Sequence, residues 1–282
     1  MLGDSVFLDA TNARANTVKL RFPSVGATEN IIQFASLLKG KTVIKNSARE
    51  PEVVDLINFL NLCGAKIYGA GTKTITIYGV DKLHGCEYLP CPDRIVAGTI
   101  TIATAICGGD VTITNSRPQE NQKLIKELRR IGCQIDEKND IIHIVRDKPL
   151  QNIGRISTGC YPEFPTDLQS QMLALACFCK GKTIVNENIF ENRFLIVEEL
   201  KKLGADIKSI DENSVVVYGN KKMTGCDVSA LDLRGGAGII LACLGSNKKS
   251  RVMNAHFVDR GYEQIEKQLS SLGVKIKRKC PK

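Results

Sequence analysis

Tryptophan is absent from this chain of 282 residues, histidine occurs only three times, and no two of its cysteines form a C-x-x-C pair. Three scattered histidines offer no metal-ligand cluster, and no cofactor is expected. The eleven cysteines are an odd set. Several of them (Cys107, Cys177, Cys179, Cys243) lie inside apolar, helix-like runs, where cysteine behaves as a small hydrophobe. They read as reduced thiols of a cytoplasmic protein. No apolar run reaches 18 residues, so no helix is expected to span a membrane. The opening Met1-Leu-Gly-Asp-Ser-Val-Phe7 has neither the basic start nor the apolar core of a signal peptide. Two fragments imitate a phosphate-binding P-loop, Gly40-Lys41-Thr42 and Gly181-Lys182-Thr183. Both have alanine (Ala35, Ala176) where the upstream glycine is required, and both lead into strands, so they read as turns.

What is present is an ordinary globular composition, 43% hydrophobic and 24% charged, in a length that suits one large domain or two smaller ones. The net charge of +9 suggests anionic partners. Nucleic acid is one possibility, although the basic residues are spread along the chain without an aromatic stacking motif. Small phosphorylated ligands fit the charge equally well.

Internal repetition is the strongest signal. Asn46, Asn115, Asn186 and Asn254 each follow a short β-branched strand, at steps of 69, 71 and 68 residues. Gly64, Gly132, Gly204 and Gly273 keep the same step and read as glycines that end a helix and release the chain into a strand. Ahead of each glycine lies an amphipathic helix, with Val53, Ile57 and Leu60 or Ile196, Leu200 and Leu203 on its apolar stripe. Pro51 and Pro118 stand at two helix starts, where a missing N–H costs nothing. A second, more apolar helix precedes each of these strands: Ile31–Ala35, Ile100–Ile106, Met172–Cys179 and Gly238–Leu244 are too apolar for a solvent face. The fold class is therefore α/β, built from βαβαββ-type modules with buried inner helices.

Each inner helix starts with a polar residue after a turn: Ser24, Asp93, Thr166-Asp167 and Asp232. The simplest reading of any one of them is a helix cap. Recurrence suggests more, because helix N-termini that face the same way attract anions at ~0.3–1 kcal/mol each. Arg49, Arg117, Arg193 and Arg260 stand near the starts of the amphipathic helices and together suit the rim of an anion site.

Seven segments identify a family resemblance: Pro23-Ser-Val-Gly-Ala-Thr28, Ala48-Arg-Glu-Pro-Glu52, Pro92-Asp-Arg94, Phe164-Pro-Thr-Asp-Leu-Gln169, Ile189-Phe-Glu-Asn-Arg-Phe194, Asp232-Leu-Arg-Gly235 and Asp259-Arg-Gly-Tyr-Glu263. In these segments the chain resembles the enolpyruvyl transferases, on the side of the family that acts on UDP-N-acetylglucosamine. The resemblance implies an inverse α/β barrel of six modules in two domains. Four modules would be here: residues 1–88 as the last module of the first domain, and 89–282 as the second domain. The family reaction moves the enolpyruvyl group of phosphoenolpyruvate to the sugar 3-hydroxyl of UDP-N-acetylglucosamine, releasing phosphate, as the first committed step toward peptidoglycan.

By the same resemblance Asp167 takes the place of the general base. Ser24, Val25 and Gly26 match the segment along the nucleotide diphosphate, and Ile189 matches a backbone contact to it. Glu50, Asp93, Arg94, Glu191, Asp232, Arg234 and Arg260 match other substrate positions, the arginines being suited to phosphate or carboxylate. Neither nucleic acid nor membrane is an expected partner. The family's Lys-Asn pair and its loop cysteine find no match, so the chain reads as a C-terminal portion of the architecture. Ser5–Asp9 is then expected to be the last strand of an otherwise absent module, and the fourth module to lack its closing strand after Val274–Lys277. Two other readings remain open at this point: the sibling enzyme acting on shikimate 3-phosphate, and a non-catalytic nucleotide-sugar-binding protein.

Overall fold

A computed structural model describes residues 7–219 and 222–279. The chain divides into two compact units, Met1–Cys91 and Pro92–Lys282.

The first unit is a single module: β1 (Thr17–Lys19), α1 (Val25–Ala35), β2 (Lys41–Lys45), α2 (Pro51–Leu62), β3 (Lys66–Tyr68) and β4 (Thr74–Tyr78). Its sheet order is β1-β2-β4-β3, with β1 and β2 parallel and the other pairs antiparallel. A parallel pair needs a crossover, and α1 supplies it. Strand β4 alternates threonine with isoleucine and buries Ile75 and Ile77. Val53, Ile57 and Leu60 of α2 close the core from the other side. Gly64 ends α2 at φ +97°, the left-handed conformation that lets the helix stop and turn into β3.

The second unit repeats the pattern. Its first module has α3 (Arg94–Cys107), β5 (Gly109–Ile113), α4 (Gln122–Arg130), β6 (Gln134–Lys138) and β7 (Ile141–Arg146), in the sheet β5-β7-β6. The next has β8 (Arg155–Ser157), α5 (Gln169–Ala176), β9 (Lys182–Asn186), α6 (Ile196–Lys202), β10 (Asp206–Asp211) and β11 (Ser214–Tyr218), in the order β10-β11-β9-β8. The last has β12 (Asp227–Ser229), α7 (Leu233–Leu244), β13 (Arg251–Met253) and α8 (Ile265–Ser271). Strands β8 and β9, like β12 and β13, are parallel across an inner helix, as in the first unit.

Inner helices α3, α5 and α7 pack on one another pairwise, and each also lies on strands of its own module. All eight residues of α5 are buried, polar Gln169, Ser170 and Gln171 included. Close approach depends on glycine. A Cβ on Gly238 of α7 would lie 2.7 Å from the Ser170 carbonyl oxygen of α5 and 2.8 Å from Ile196 Cδ1.

Four local expectations are corrected. The apolar run of α1 is not enclosed: only Thr28, Ile32 and Ala35 of the helix are buried, and Phe34 is 53% exposed. Within its unit α1 packs on α2, β2 and β4, with no second inner helix beside it. Phe7–Asp9 form no strand, and the preceding Met1–Val6 lie outside the described residues. No strand follows Gly273 among the described residues, Cys280–Lys282 lying outside them. Finally, Asn46, Asn115 and Asn254 follow their strands, at positive φ, but Asn186 does not. It stays in β9, paired with Ser214, and gives its side-chain amide to the Ser214 hydroxyl at 2.6 Å.

Candidate active site

Three inner helices are capped by the polar residues that precede them. Ser24 Oγ accepts from Ala27 N at 3.2 Å, Asp93 Oδ1 from Ile95 N and Val96 N at 2.7 and 3.1 Å, and Asp232 Oδ1 from Gly235 N at 2.7 Å. Asp167 breaks the series. A 3-10 turn, Thr166–Leu168, precedes α5, and neither Thr166 nor Asp167 caps the helix with its side chain. The Asp167 carboxylate is used elsewhere.

Both of its oxygens are held by arginines. Arg193 Nη2 donates to Oδ1 at 3.1 Å and to Thr166 Oγ1 at 3.4 Å, while Arg234 Nη2 donates to Oδ2 at 3.3 Å. The guanidiniums are enclosed, with side chains 7% and 15% exposed, whereas that of Asp167 is 40% exposed. A carboxylate offers about four lone-pair sites, so those not aimed at the arginines remain available on its open side. Among the described residues Nε of Arg193 and Nη1 of Arg234 find no hydrogen-bond acceptor. Buried guanidinium donors of this kind gain most from an anionic ligand.

Behind the carboxylate runs a polar network through the inner helices. Gln171 Nε2 lies 3.0 Å from the Asp167 carbonyl oxygen, 3.2 Å from Thr99 Oγ1 and 3.0 Å from the Tyr262 hydroxyl. Tyr262 and Thr99 hydroxyls are 2.8 Å apart. Burial pushes the Tyr262 phenol up, against the opposing pull of Thr99 and Arg234. For Arg234 burial works to lower the value, but the Asp167 charge, then Tyr262, outweigh it and hold the guanidinium firmly protonated. Arg234 also lies over the Tyr262 ring, 5.9 Å from its centroid, and Arg193 over Phe190 at 4.2 Å.

The remaining sequence candidates are placed as follows. Asp232 caps the helix that carries Arg234, so it positions that arginine. Glu191 is exposed two residues before Arg193, and Ile189 N–H donates to the Glu187 carboxylate at 2.9 Å. Arg260 is exposed at the end of a 3-10 turn, Ala255–Arg260, and the Gly261 after it lies against Leu233 and Arg234. Arg94 is buried at the start of α3, over the Tyr161 ring at 5.6 Å. Ser24, Val25, Gly26 and Glu50 belong to the first unit, at the starts of α1 and α2. That neighbourhood is acidic: burial first, then Glu52 and Glu50, raise the Glu29 carboxyl.

The sequence reading placed Arg193 on a rim and passed over Tyr262, Gln171 and Thr99. For Gln171 and Thr99 a polar residue inside an otherwise apolar run was the available signal. No group of residues able to hold a metal ion occurs among the described residues.

The arrangement defines a class first. The fold matches the enolpyruvyl transferase NikO from Streptomyces tendae, with a TM-score of 0.83 and 25% identity over 94% of this chain and 66% of that one. It also matches EPSP synthase from Acinetobacter baumannii, with a TM-score of 0.70 at 17% identity over 92% of this chain and 62% of that one. Residues 6–269 match the family described as EPSP synthase (3-phosphoshikimate 1-carboxyvinyltransferase), and the chain belongs to that family of enolpyruvyl transferases. It is 47% identical, over 94% of its length and 63% of the relative's, to UDP-N-acetylglucosamine 1-carboxyvinyltransferase 2 of Caldanaerobacter subterraneus subsp. tengcongensis. It is 46% identical, over 98% of its length and 68% of the relative's, to UDP-N-acetylglucosamine 1-carboxyvinyltransferase of Halothermothrix orenii. The chain thus spans 62–63% of the length of several curated relatives it matches.

Proposed function

We propose that this chain provides the acceptor-activating part of an enzyme that transfers the enolpyruvyl group of phosphoenolpyruvate to the 3-hydroxyl of UDP-N-acetylglucosamine. The observation that carries this reading is the carboxylate of Asp167, fixed through both oxygens by Arg193 and Arg234 yet open on one side. Asp167 accepts the proton of the 3-hydroxyl as the sugar oxygen bonds to C2 of phosphoenolpyruvate. In that addition C3 takes up a proton, and it loses one again as the C2–O bond to phosphate breaks, which releases the phosphate and restores the carbon–carbon double bond of the enol ether. Arg193 and Arg234 orient the base, and their partner-free N–H groups suit the charge of the donor's carboxylate or phosphate. Ser24, Val25 and Gly26, at the start of α1, are assigned to the nucleotide diphosphate, where backbone N–H groups of a helix start are available. The remaining assignments are Ile189 to the nucleotide and Glu50, Asp93, Arg94, Glu191, Asp232 and Arg260 to the surrounding substrate contacts. The product is the first committed intermediate toward peptidoglycan.

Relatives at 43–47% identity that carry the UDP-sugar name, set against 17% for the EPSP synthase structures, support this acceptor over shikimate 3-phosphate. Titrating each acceptor into the isotope-labelled chain tests the choice by protein NMR. UDP-N-acetylglucosamine is expected to shift resonances of Ser24–Gly26 and Asp167, and an oligonucleotide to shift neither. Shifts with shikimate 3-phosphate alone would transfer the assignment to the sibling reaction.

A further inference from the structure

After β4 the chain does not leave the first unit directly but runs back along α2. Asp55, Phe59 and Cys63 stand at i, i+4 and i+8 on one face of that helix, and each holds a residue of the returning segment. At the helix end His84 N donates to the Cys63 carbonyl at 2.9 Å. One turn earlier the Phe59 and Tyr88 rings lie 5.5 Å apart. One turn earlier again, Asp55 Oδ1 accepts from the Tyr88 hydroxyl at 2.7 Å and from Cys91 N at 3.1 Å. Leu83 packs against the core of the unit. Residues 83–91 therefore form a strap without regular secondary structure, lashed to α2 at three levels. At its upper level two thiols meet, with Cys63 Sγ 3.4 Å from Cys86 Sγ.

The two sulfurs differ in access. Cys63 is 6% exposed at the end of α2, whereas Cys86 is exposed. Burial first, then the adjacent Cys86 sulfur, makes Cys63 hold its proton more tightly than a free thiol. Solvent reagents thus meet Cys86 first, with a second thiol already in contact behind it. That is the arrangement of an exposed cysteine beside a resolving one.

We infer that Cys63 and Cys86 are a reversible thiol–disulfide site that fixes the strap to α2 under oxidising conditions, with low-molecular-weight disulfides such as oxidised glutathione as its co-reactant. The Cys86 thiolate attacks one sulfur of oxidised glutathione, forming a mixed disulfide and expelling one glutathione thiolate. Cys63 then gives up its proton and attacks the Cys86 sulfur, expelling the second glutathione. The chain loses two hydrogens and two molecules of reduced glutathione are formed, so atoms and electrons balance. Closing a 1.4 Å excess over bonding distance (3.4 Å against about 2.0 Å) falls to the strap, which has no regular secondary structure of its own. The strap hands the chain to Pro92-Asp93-Arg94, so the closed form tethers the run-in to the capped start of α3 covalently, where hydrogen bonds and a ring contact hold the open form.

The test uses the full chain in native buffer with oxidised glutathione, followed by alkylation of remaining thiols and peptide mapping by tandem mass spectrometry. The expected product has lost two hydrogens and carries a Cys63–Cys86 linkage as its dominant disulfide. Limited trypsin cleavage after exposed Lys82 then leaves two fragments that separate only under reduction. The linkage is expected to form more slowly in urea, where the strap is released, and to vanish in Cys86→Ser, which alters an exposed side chain. A glutathione adduct persisting on Cys86 without internal linkage would overturn the inference. So would dominant pairing through Cys91, or equal rates with and without urea.

Discussion

Helices α1 and α5 occupy the same place in two copies of one module, yet they live in different surroundings. Every residue of α5 is buried, while α1 buries three and leaves Phe34 and the adjoining Leu37 more than half exposed. Their local sequences are comparably apolar in the stretches concerned. The difference lies in neighbours: α5 has α3 and α7 beside it, and α1 has only α2 and its own sheet within its unit. Burial is thus a property of the assembly of modules, and a run of apolar residues states only what a helix is able to bury. The helix starts differ too. Near α1 and α2 stand Glu29, Glu50 and Glu52, whereas the start of α5 is dominated by Arg193 and Arg234.

The largest expected contrast comes from truncating one apolar residue in each helix. Leu173→Ala, in α5, should cost about 2–5 kcal/mol, and Phe34→Ala, in α1, about 0.5 kcal/mol or less, by urea denaturation. Equal losses would mean that α1 is as enclosed as α5.

Asp167→Asn separates the site from the caps. In a catalytically active form of the enzyme it should lower turnover at least about a hundredfold. Asp232→Asn, replacing one good cap by another, should change stability by only a few tenths of a kcal/mol, roughly the spread among good caps. An Asp167→Asn enzyme that keeps its rate would remove Asp167 from the chemistry and leave it a partner of the two arginines.

Glycine to alanine probes the same contrast more gently. At Gly238 the new Cβ meets the α5 backbone, and the expected loss is about 1–3 kcal/mol. At Gly26 no atom lies within 4 Å, so alanine should be neutral or gain up to about 1 kcal/mol of helix stability. Any loss at Gly26 should appear in affinity for the UDP-sugar instead. Calorimetry with and without UDP-N-acetylglucosamine measures both.

The smallest effect is one of pH. Glu29 has a folded value raised above 4.5, so its charged form destabilises the fold above that raised value, and the penalty fades as pH falls through it toward 4.5. Asp259 is held below 3.8 by its Arg278 hydrogen bond, so its stabilisation is complete above 3.8 and is lost as pH falls through the lower folded value. Glu29→Gln should therefore raise the melting temperature slightly at neutral pH and leave it unchanged at pH 4. Asp259→Asn should lower it at neutral pH. A rise for Glu29→Gln at pH 4 as large as at neutral pH would show that its charge is not the cause.

Much of this was legible because the repeat is written in local chemistry. Gly64, Gly132, Gly204 and Gly273 all take the left-handed conformation that a helix-ending glycine permits. Ser24, Asp93 and Asp232 were readable as caps for the same reason. The exception, Asp167, could not be told from a cap by spacing, since what distinguishes it is a pair of arginines 26 and 67 positions away. Tyr262 was invisible because hydrogen bonding inside a core leaves no periodic trace, while Gln171 and Thr99 showed only as polar residues interrupting apolar runs. The fate of α1 was illegible too: hydrophobic pattern records a preference, and neighbours decide whether it is met.

The contact between Thr99 and Tyr262 spans 163 positions of the chain. During synthesis, at about 5–20 residues per second, α3 leaves the ribosome on the order of ten seconds or more before the tyrosine that completes its polar network. For that interval α3 and then α5 are nascent hydrophobic segments whose final partners have not been translated. The second unit consequently offers chaperones a long window, and a pause or premature stop before codon 262 would release a chain with its inner helices made and the network behind Asp167 unfinished.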